Sequence, residues 1–323
     1  MNKISKFALA LLITIGIWWV IKTPPAHYVI APSVNFVTPT EVLNVTAKEG
    51  SLQKLIEHIP SDIPGYDDFV AYDGGKQALI TAIDGWIWHL DFESGITTRF
   101  ADAPLMPAGL HEVPNMPDKM YLCSSHYKGE NYPESESVGL YQLDMNTKRF
   151  APIVLNVPSN TPTLTGYEAD AVLYSDDDAA PEIDQFDPTA EVRPLAFCND
   201  LEVSEDGKRI YFTEPFAYEG ASMGGGAVGE AITLGGNGRL WRHDLETGKT
   251  RLIAQGYNFI DGILTEPALD GGREQSLLIS QTSAFGITRF NIAGPHAGKH
   301  EYLWQGLPGM PDGIDRDSQG RIW

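Results

Sequence analysis

Five short segments share one layout: Gly65-Tyr66-Asp67-Asp68-Phe69, Met106-Pro107-Ala108-Gly109-Leu110, Phe197-Cys198-Asn199-Asp200-Leu201, Phe259-Ile260-Asp261-Gly262-Ile263 and Met310-Pro311-Asp312-Gly313-Ile314. Their third position reads Asp67, Ala108, Asn199, Asp261 and Asp312, so four of the five carry oxygen and three of those are carboxylates. If these positions converge, the carboxylates raise one another's pKa and strain the fold unless a cation neutralises them. An all-oxygen set selects a hard cation. Calcium, with about six to eight oxygen ligands at roughly 2.3–2.6 Å, suits a wide ring better than magnesium. The plainer reading is that Asp-Gly and Asn-Asp are ordinary turn pairs. A single pair would carry no more than that, but four in one column, each ahead of a strand, favour a metal site.

The elements that must position this column repeat with it. Each opening leads into a short strand, and a polar turn then precedes a second apolar strand such as Ala78–Thr81, Met120–Cys123, Ile210–Thr213 or Leu277–Ser280. A third element alternates apolar and polar residues and ends at Asp or Asn. It reads Gly85–Asp91, Gly139–Asp144, Gly238–Asp244 and Gly286–Asn291, and a fourth strand such as Arg251–Ala254 follows. Four antiparallel strands per unit of roughly 40–50 residues describe a β-propeller blade. The expected fold is therefore all-β, a six-bladed β-propeller over 61–323 whose last blade is incomplete at Trp323. In a propeller the first strand of each blade lines the central tunnel. That geometry is what brings positions 40 to 90 residues apart together.

The remaining composition narrows the function. A net charge of -20, from 43 acidic and 23 basic side chains, argues against a nucleic-acid partner. Lys3 and Lys6 precede an unbroken apolar run from Phe7 to Ile21 that ends in Trp18-Trp19 and Lys22. At about 1.5 Å per residue the run covers roughly 22 Å, which interfacial tryptophans and lysines extend. Residues 1–24 are therefore expected to be an uncleaved signal anchor, with the main domain extracytoplasmic. Residues 25–60 read as linker, edge strand and short helix. Cys123 and Cys198 have no partner at metal-ligand spacing; they either form one disulfide or, as favoured here, remain two buried thiols. The acidic insertion 167–192 reads as a solvated loop, and the Gly-rich insertion 215–236 as a lid over one tunnel mouth.

Asn199-Asp200, Tyr211-Phe212-Thr213-Glu214, Gly238-Arg239-Leu240-Trp241, Leu307–Gly313 and Gly320-Arg321-Ile322-Trp323 together resemble the strictosidine synthase-like branch of the calcium-dependent phosphotriesterase superfamily. That superfamily also holds gluconolactonases of the senescence-marker type and paraoxonases. The resemblance is best over about 195–323 and weaker over 60–155. It implies one calcium ion in the central tunnel and hydrolysis of lactones, esters or phosphotriesters. Asn199 and Asp312 match the family's residues. Asp67 stands for its Glu, Asp261 for its usual Asn, and Gly313 for a common Asn. His126 is similar to a paraoxonase-type histidine, although Ala108 occupies the usual partner position and Gln281-Thr282 replaces a Glu-Thr pair.

The expected function is thus a calcium-dependent hydrolase of a small-molecule substrate. Asp67, Asn199, Asp261 and Asp312 are its metal ligands, and Asp312 and His126 its acid–base or nucleophilic groups. The bland alternative for His126 is a strand-end histidine hydrogen-bonded for structure. Two other readings stand beside the hydrolase: a condensing enzyme of the strictosidine synthase type, and a non-catalytic binding propeller with a structural calcium.

Overall fold

Strands such as Lys119–Ser125 and Arg209–Glu214 carry apolar cores, Met120–Cys123 and Ile210–Phe212, and are buried at nearly every position, as strands covered on both faces are. In the computed structural model these strands are the second strands of four-stranded antiparallel sheets. The structure describes residues 61–127, 132–159, 182–184, 187–217, 236–266 and 274–323, the backbone of 172–173, and single residues 14 and 226. Blade 1 comprises β1 (Tyr66–Tyr72), β2 (Gln77–Ala82), β3 (Trp86–Asp91) and β4 (Thr97–Asp102). Blade 2 comprises β5 (Met106–Glu112), β6 (Lys119–Ser125), β7 (Gly139–Asp144) and β8 (Arg149–Val154). The pair β9 (Asn156–Pro158) and β12 (Val192–Pro194) leads into the next blade. Between them in sequence lie β10 (Val172–Leu173) and β11 (Glu182–Asp184). Blade 3 comprises β13 (Leu201–Val203), β14 (Arg209–Glu214), β15 (Gly238–Asp244) and β16 (Lys249–Tyr257), and blade 4 comprises β17 (Ile260–Glu266), β18 (Ser276–Gln281), β19 (Gly286–Asn291) and β20 (His300–Gln305).

These four blades begin where the repeated openings predict, in an all-β propeller arrangement. The fifth opening, at Met310, is irregular and followed by a single bridge, Arg316 to Ile322. Period-two alternation explains how the blades stack. Along β6, Met120 and Leu122 join Leu79, Ile87 and Leu110 between blades 1 and 2. Tyr121 and Cys123 turn the other way, toward Leu201, Phe212 and Trp241 of blade 3. Tyr211 of β14 likewise faces Ile263, Leu277 and Phe290 of blade 4.

Two expectations need correction. Cys123 and Cys198 are not free thiols; they form a disulfide between blades 2 and 3, with Cα atoms 5.0 Å apart. Stacking sets β6 against the blade 3 opening, a proximity that 75 residues of separation conceal. The acidic insertion is not wholly a solvated loop either. Its strands β10 and β11 pair with β16, where Glu182 meets Lys249 at 3.0 Å and also pairs with Arg251. Unpaired backbone on an outer strand is a ready template for such additions. The anchor (1–24), the segment 25–60 and most of the Gly-rich insertion lie outside the described residues. Among the described residues no helix is long and apolar enough to cross a membrane.

Candidate metal centre

The inner strands carry a local irregularity at the column. The β1–β2, β5–β6 and β17–β18 registers each shift between the second and fifth signature positions, spanning Asp67, Ala108 and Asp261. A bulge leaves an extra residue outside the ladder and re-aims its side chain. In blade 3 the same effect comes from Thr213, whose carbonyl accepts from Asn199 N–H (3.0 Å) and whose N–H donates to the Asp200 carbonyl (2.9 Å).

The four expected ligands meet. The Asn199 side-chain amide donates to Asp261 Oδ1, and Thr282 Oγ1 donates to Asp261 Oδ2 at 3.1 Å. Asp312 lines the same cavity as Asp67, Asn199 and Asp261. Burial, then Asp312 and Asp67, push the Asp261 carboxyl well above its ordinary range. Burial and the charges of Asp312 and Asp68 push Asp67 up to about 7, although its outer face is open to water. Asn199 and Asp261 are buried, whereas Asp312 is exposed. Asp312 is nevertheless fixed through its backbone, where its carbonyl accepts from Ser280 Oγ at 2.6 Å. Gly262 is needed there, because a Cβ would lie 2.5 Å from the Asp312 carbonyl oxygen.

As they stand, no three His, Cys, Asp or Glu side chains among the described residues form a group able to hold a metal ion. Asp261 already accepts from two side-chain donors, Asn199 and Thr282. The donor chemistry nonetheless fits a hard cation: three carboxylates and one amide, in surroundings that resist the carboxylates' charge. The Asn199 amide is nearly symmetrical in shape, so its oxygen can take the place of its nitrogen.

The fourth signature position does different work. Asp68 accepts from its neighbour Phe69 N–H (2.7 Å) and from Leu110 N–H of blade 2 (2.8 Å). Asp200 accepts from Leu201 N–H (2.8 Å) and from Ile263 N–H of blade 4 (3.0 Å). Asp200 thus ties blade 3 to blade 4. Sequence reasoning passed over Asp68 in this role, and the shared fourth position was the available signal.

Beyond the column the tunnel continues as a cavity of about 690 Å³, lined also by His111, Glu202 and Arg316. His111 of blade 2 faces Glu202 of blade 3 at 3.5 Å, and Thr265 of blade 4 donates to Glu202 at 3.3 Å. Burial pulls the His111 pKa down, but the Glu202 bond and charge outweigh it and raise the group to about 9. This second polar layer was also missed. Its members share no residue type, and only their common distance from the openings could have signalled it.

His126 does not line this cavity. It follows Ser125, the partner of Met106, and so stands at the end where the openings begin. Its ring lies 5.2 Å from that of Tyr132, and burial lowers its pKa. At the same end, Phe216 packs 5.1 Å from Phe197 and 6.0 Å from Phe259. The root of the Gly-rich insertion therefore rests on the openings of blades 3 and 4.

A propeller of four-stranded blades with an acidic tunnel defines the class. No family model matches the chain. It is similar in fold to a gluconolactonase from Xanthomonas campestris, with a TM-score of 0.54 at 16% identity, covering 93% of this chain and 81% of that one. In sequence it is 32% identical over 131 residues to adipocyte plasma membrane-associated protein of Danio rerio, covering 41% of this chain and 30% of the relative. It is 34% identical over 134 residues to protein strictosidine synthase-like 10 of Arabidopsis thaliana, covering 42% and 33%. The matched region thus spans about a third of the length of these curated relatives. In sequence the chain is thus similar to adipocyte plasma membrane-associated and strictosidine synthase-like proteins, and in fold to a gluconolactonase.

Proposed function

We propose that the chain is a calcium-dependent hydrolase of lactone or ester substrates, with Asp67, Asn199, Asp261 and Asp312 as the ion's ligands. The observation that carries this reading is Asp261, a buried carboxylate beside Asp312 and Asp67 that Asn199 also contacts. Mutual repulsion of that kind is relieved by a bound cation. When bound, calcium would act as a Lewis acid toward the substrate's carbonyl or phosphoryl oxygen. Asp312, exposed like Asp67, is the group assigned to take a proton from attacking water or to attack directly. His126, kept neutral by burial, is a second proton acceptor at the same end of the tunnel. The ring of Phe216 is buried between Phe197 and Phe259 at that end.

The gluconolactonase fold supports the lactonase branch, and the relative named for the plasma membrane supports anchoring of the domain through residues 1–24. One observation favours a binding propeller instead: His126 stands apart from the cavity below the column. Turnover of a lactone and aryl-ester panel, with and without chelator, separates the readings. Full activity in chelator refutes the calcium mechanism. Asn199→Ala that stays folded but loses turnover supports catalysis, and retained turnover opposes it.

A further inference from the structure

Blade 3 holds its column residue differently from the other blades. β1, β5 and β17 are each seven residues long and contain Asp67, Ala108 and Asp261, whereas β13 has three residues and begins two positions after Asn199. Asn199 thus lies outside β13 and is held to its own blade through its N–H bond to the Thr213 carbonyl (3.0 Å). The chain also reaches it from a long excursion, since β9 ends at Pro158 and β12 begins at Val192.

Blade 2 adds a second set of constraints. Cys198 is cross-linked to Cys123 of β6, and both are fully buried. Ser125 Oγ, two residues along β6, accepts from Cys198 N–H and donates to the Cys198 carbonyl, both at 2.8 Å. Gly109 N–H donates to the Asn199 carbonyl at 2.7 Å. One residue is thus held by a covalent bond and two hydrogen bonds from the neighbouring blade, and it directly precedes the column amide. A buried cross-link far from any site would stabilise the fold equally well. Its placement, with Ser125 on the same peptide, bears on the direction in which Asn199 leaves the chain.

We propose that the Cys123–Cys198 disulfide and Ser125 are positioning residues that aim the Asn199 amide into the calcium site. This rests on the metal reading above. The bridge fixes where the Asn199 main chain begins, Ser125 fixes the rotation of the preceding peptide, and Gly109 fixes the carbonyl that follows. Metal affinity depends on ligand placement to within about 0.5 Å, so releasing this segment weakens binding without unfolding the blades.

The test compares the purified full chain with a Cys123→Ala/Cys198→Ala pair and with Ser125→Ala, which leaves the disulfide intact. Calcium affinity is measured by titration calorimetry well below each variant's melting temperature. Amide hydrogen exchange over 197–203 is followed without calcium. Either change is expected to lower affinity at least about tenfold and to speed exchange over 197–203 while blades 1 and 4 stay unchanged. If the cysteine pair fails to fold, Ser125→Ala alone decides. Folded variants that bind calcium within twofold of wild type overturn the positioning role, because a purely stabilising bridge leaves the affinity of the folded state untouched. A wild-type chain that binds no calcium overturns the metal reading, and the positioning role with it.

Discussion

Glu214 offers the sharpest test of how the path into the column is held. Its side chain is 0% exposed, yet it is ionised: Arg193 donates to both carboxylate oxygens at 2.7 Å. Trp241 Nε1 and Ala196 N–H donate at 3.0 Å each. Burial raises the Glu214 pKa, but Arg193's charge and bonds outweigh that and leave it below its ordinary value of 4.5. Removing one partner of such a buried pair costs about 3–5 kcal/mol, because the other charge is left uncompensated. Glu214→Ala should therefore lower the melting temperature by roughly 6–20 °C, at about 2–4 °C per kcal/mol for a domain of this size. Glu214→Gln keeps the shape but turns an NH2 group toward donors, so it should still cost at least about 1–3 kcal/mol. The pH sign follows from the lowered pKa. The stabilisation is present above about 4.5 and lost as pH falls through the folded value, so wild type and Glu214→Gln should converge in acid. Scanning calorimetry from pH 7 to pH 3 measures both effects. A Glu214→Gln variant that melts within a degree of wild type at pH 7, or a gap that persists unchanged to pH 3, refutes the reasoning.

Gly109→Ala should cost about 1–3 kcal/mol by overpacking and weaken calcium binding, because the added Cβ would lie 2.6 Å from Asp200 Oδ1 and 2.9 Å from the Asn199 carbonyl oxygen. Gly313→Ala, with nothing within 4 Å of the added carbon, is its control in melts and titrations. His111, raised to about 9, contributes stability that is fully present below about 6.5 and lost as pH rises through 9. Wild type should thus lose melting temperature over that range, and His111→Gln should lose the slope; an unchanged slope counts against the Glu202 pair. Calcium at 100 times its dissociation constant should stabilise the chain by about 2.7 kcal/mol, seen as a chelator-sensitive rise in melting temperature, and identical melts in calcium and chelator would exclude specific binding.

The sequence made much of this legible because blade strands obey a period of two and are buried on both faces. Runs such as Met120–Cys123 and Ile210–Thr213 stand out from their polar turns, and the openings before them can be aligned without any contact information. The alignment was enough to bring Asp67, Asn199, Asp261 and Asp312 together. It was blind to what depends on blade-to-blade packing. Cys123 and Cys198 are neighbours only because β6 stacks against the entry to blade 3, and no local pattern encodes that approach. The pairing of His111 with Glu202 is hidden for the same reason. The attachment of β11 to β16 depends on Glu182 reaching two basic residues of an outer strand, which charge composition alone reads as solvation.

The paired residues at the column also explain why so much negative charge can be tolerated there. In Asp67-Asp68 and Asn199-Asp200 the first residue faces the axis while the second accepts two backbone N–H groups, one from the next blade. Where the second residue is glycine, at Gly109 and Gly262, the next blade's backbone packs where a side chain would be. Acid and glycine thus give two solutions to one problem, joining adjacent inner strands where a bulge interrupts their own ladders. The acids at the second position are held by hydrogen bonds within the protein and do not depend on an ion. Among the described residues those at the first position have no comparable set of backbone donors: Asp261 is met by the Asn199 and Thr282 side chains. On the proposed calcium reading a cation therefore has most to gain at the first position, and a change of charge there, such as Asp261→Asn, should act on binding more than on the fold.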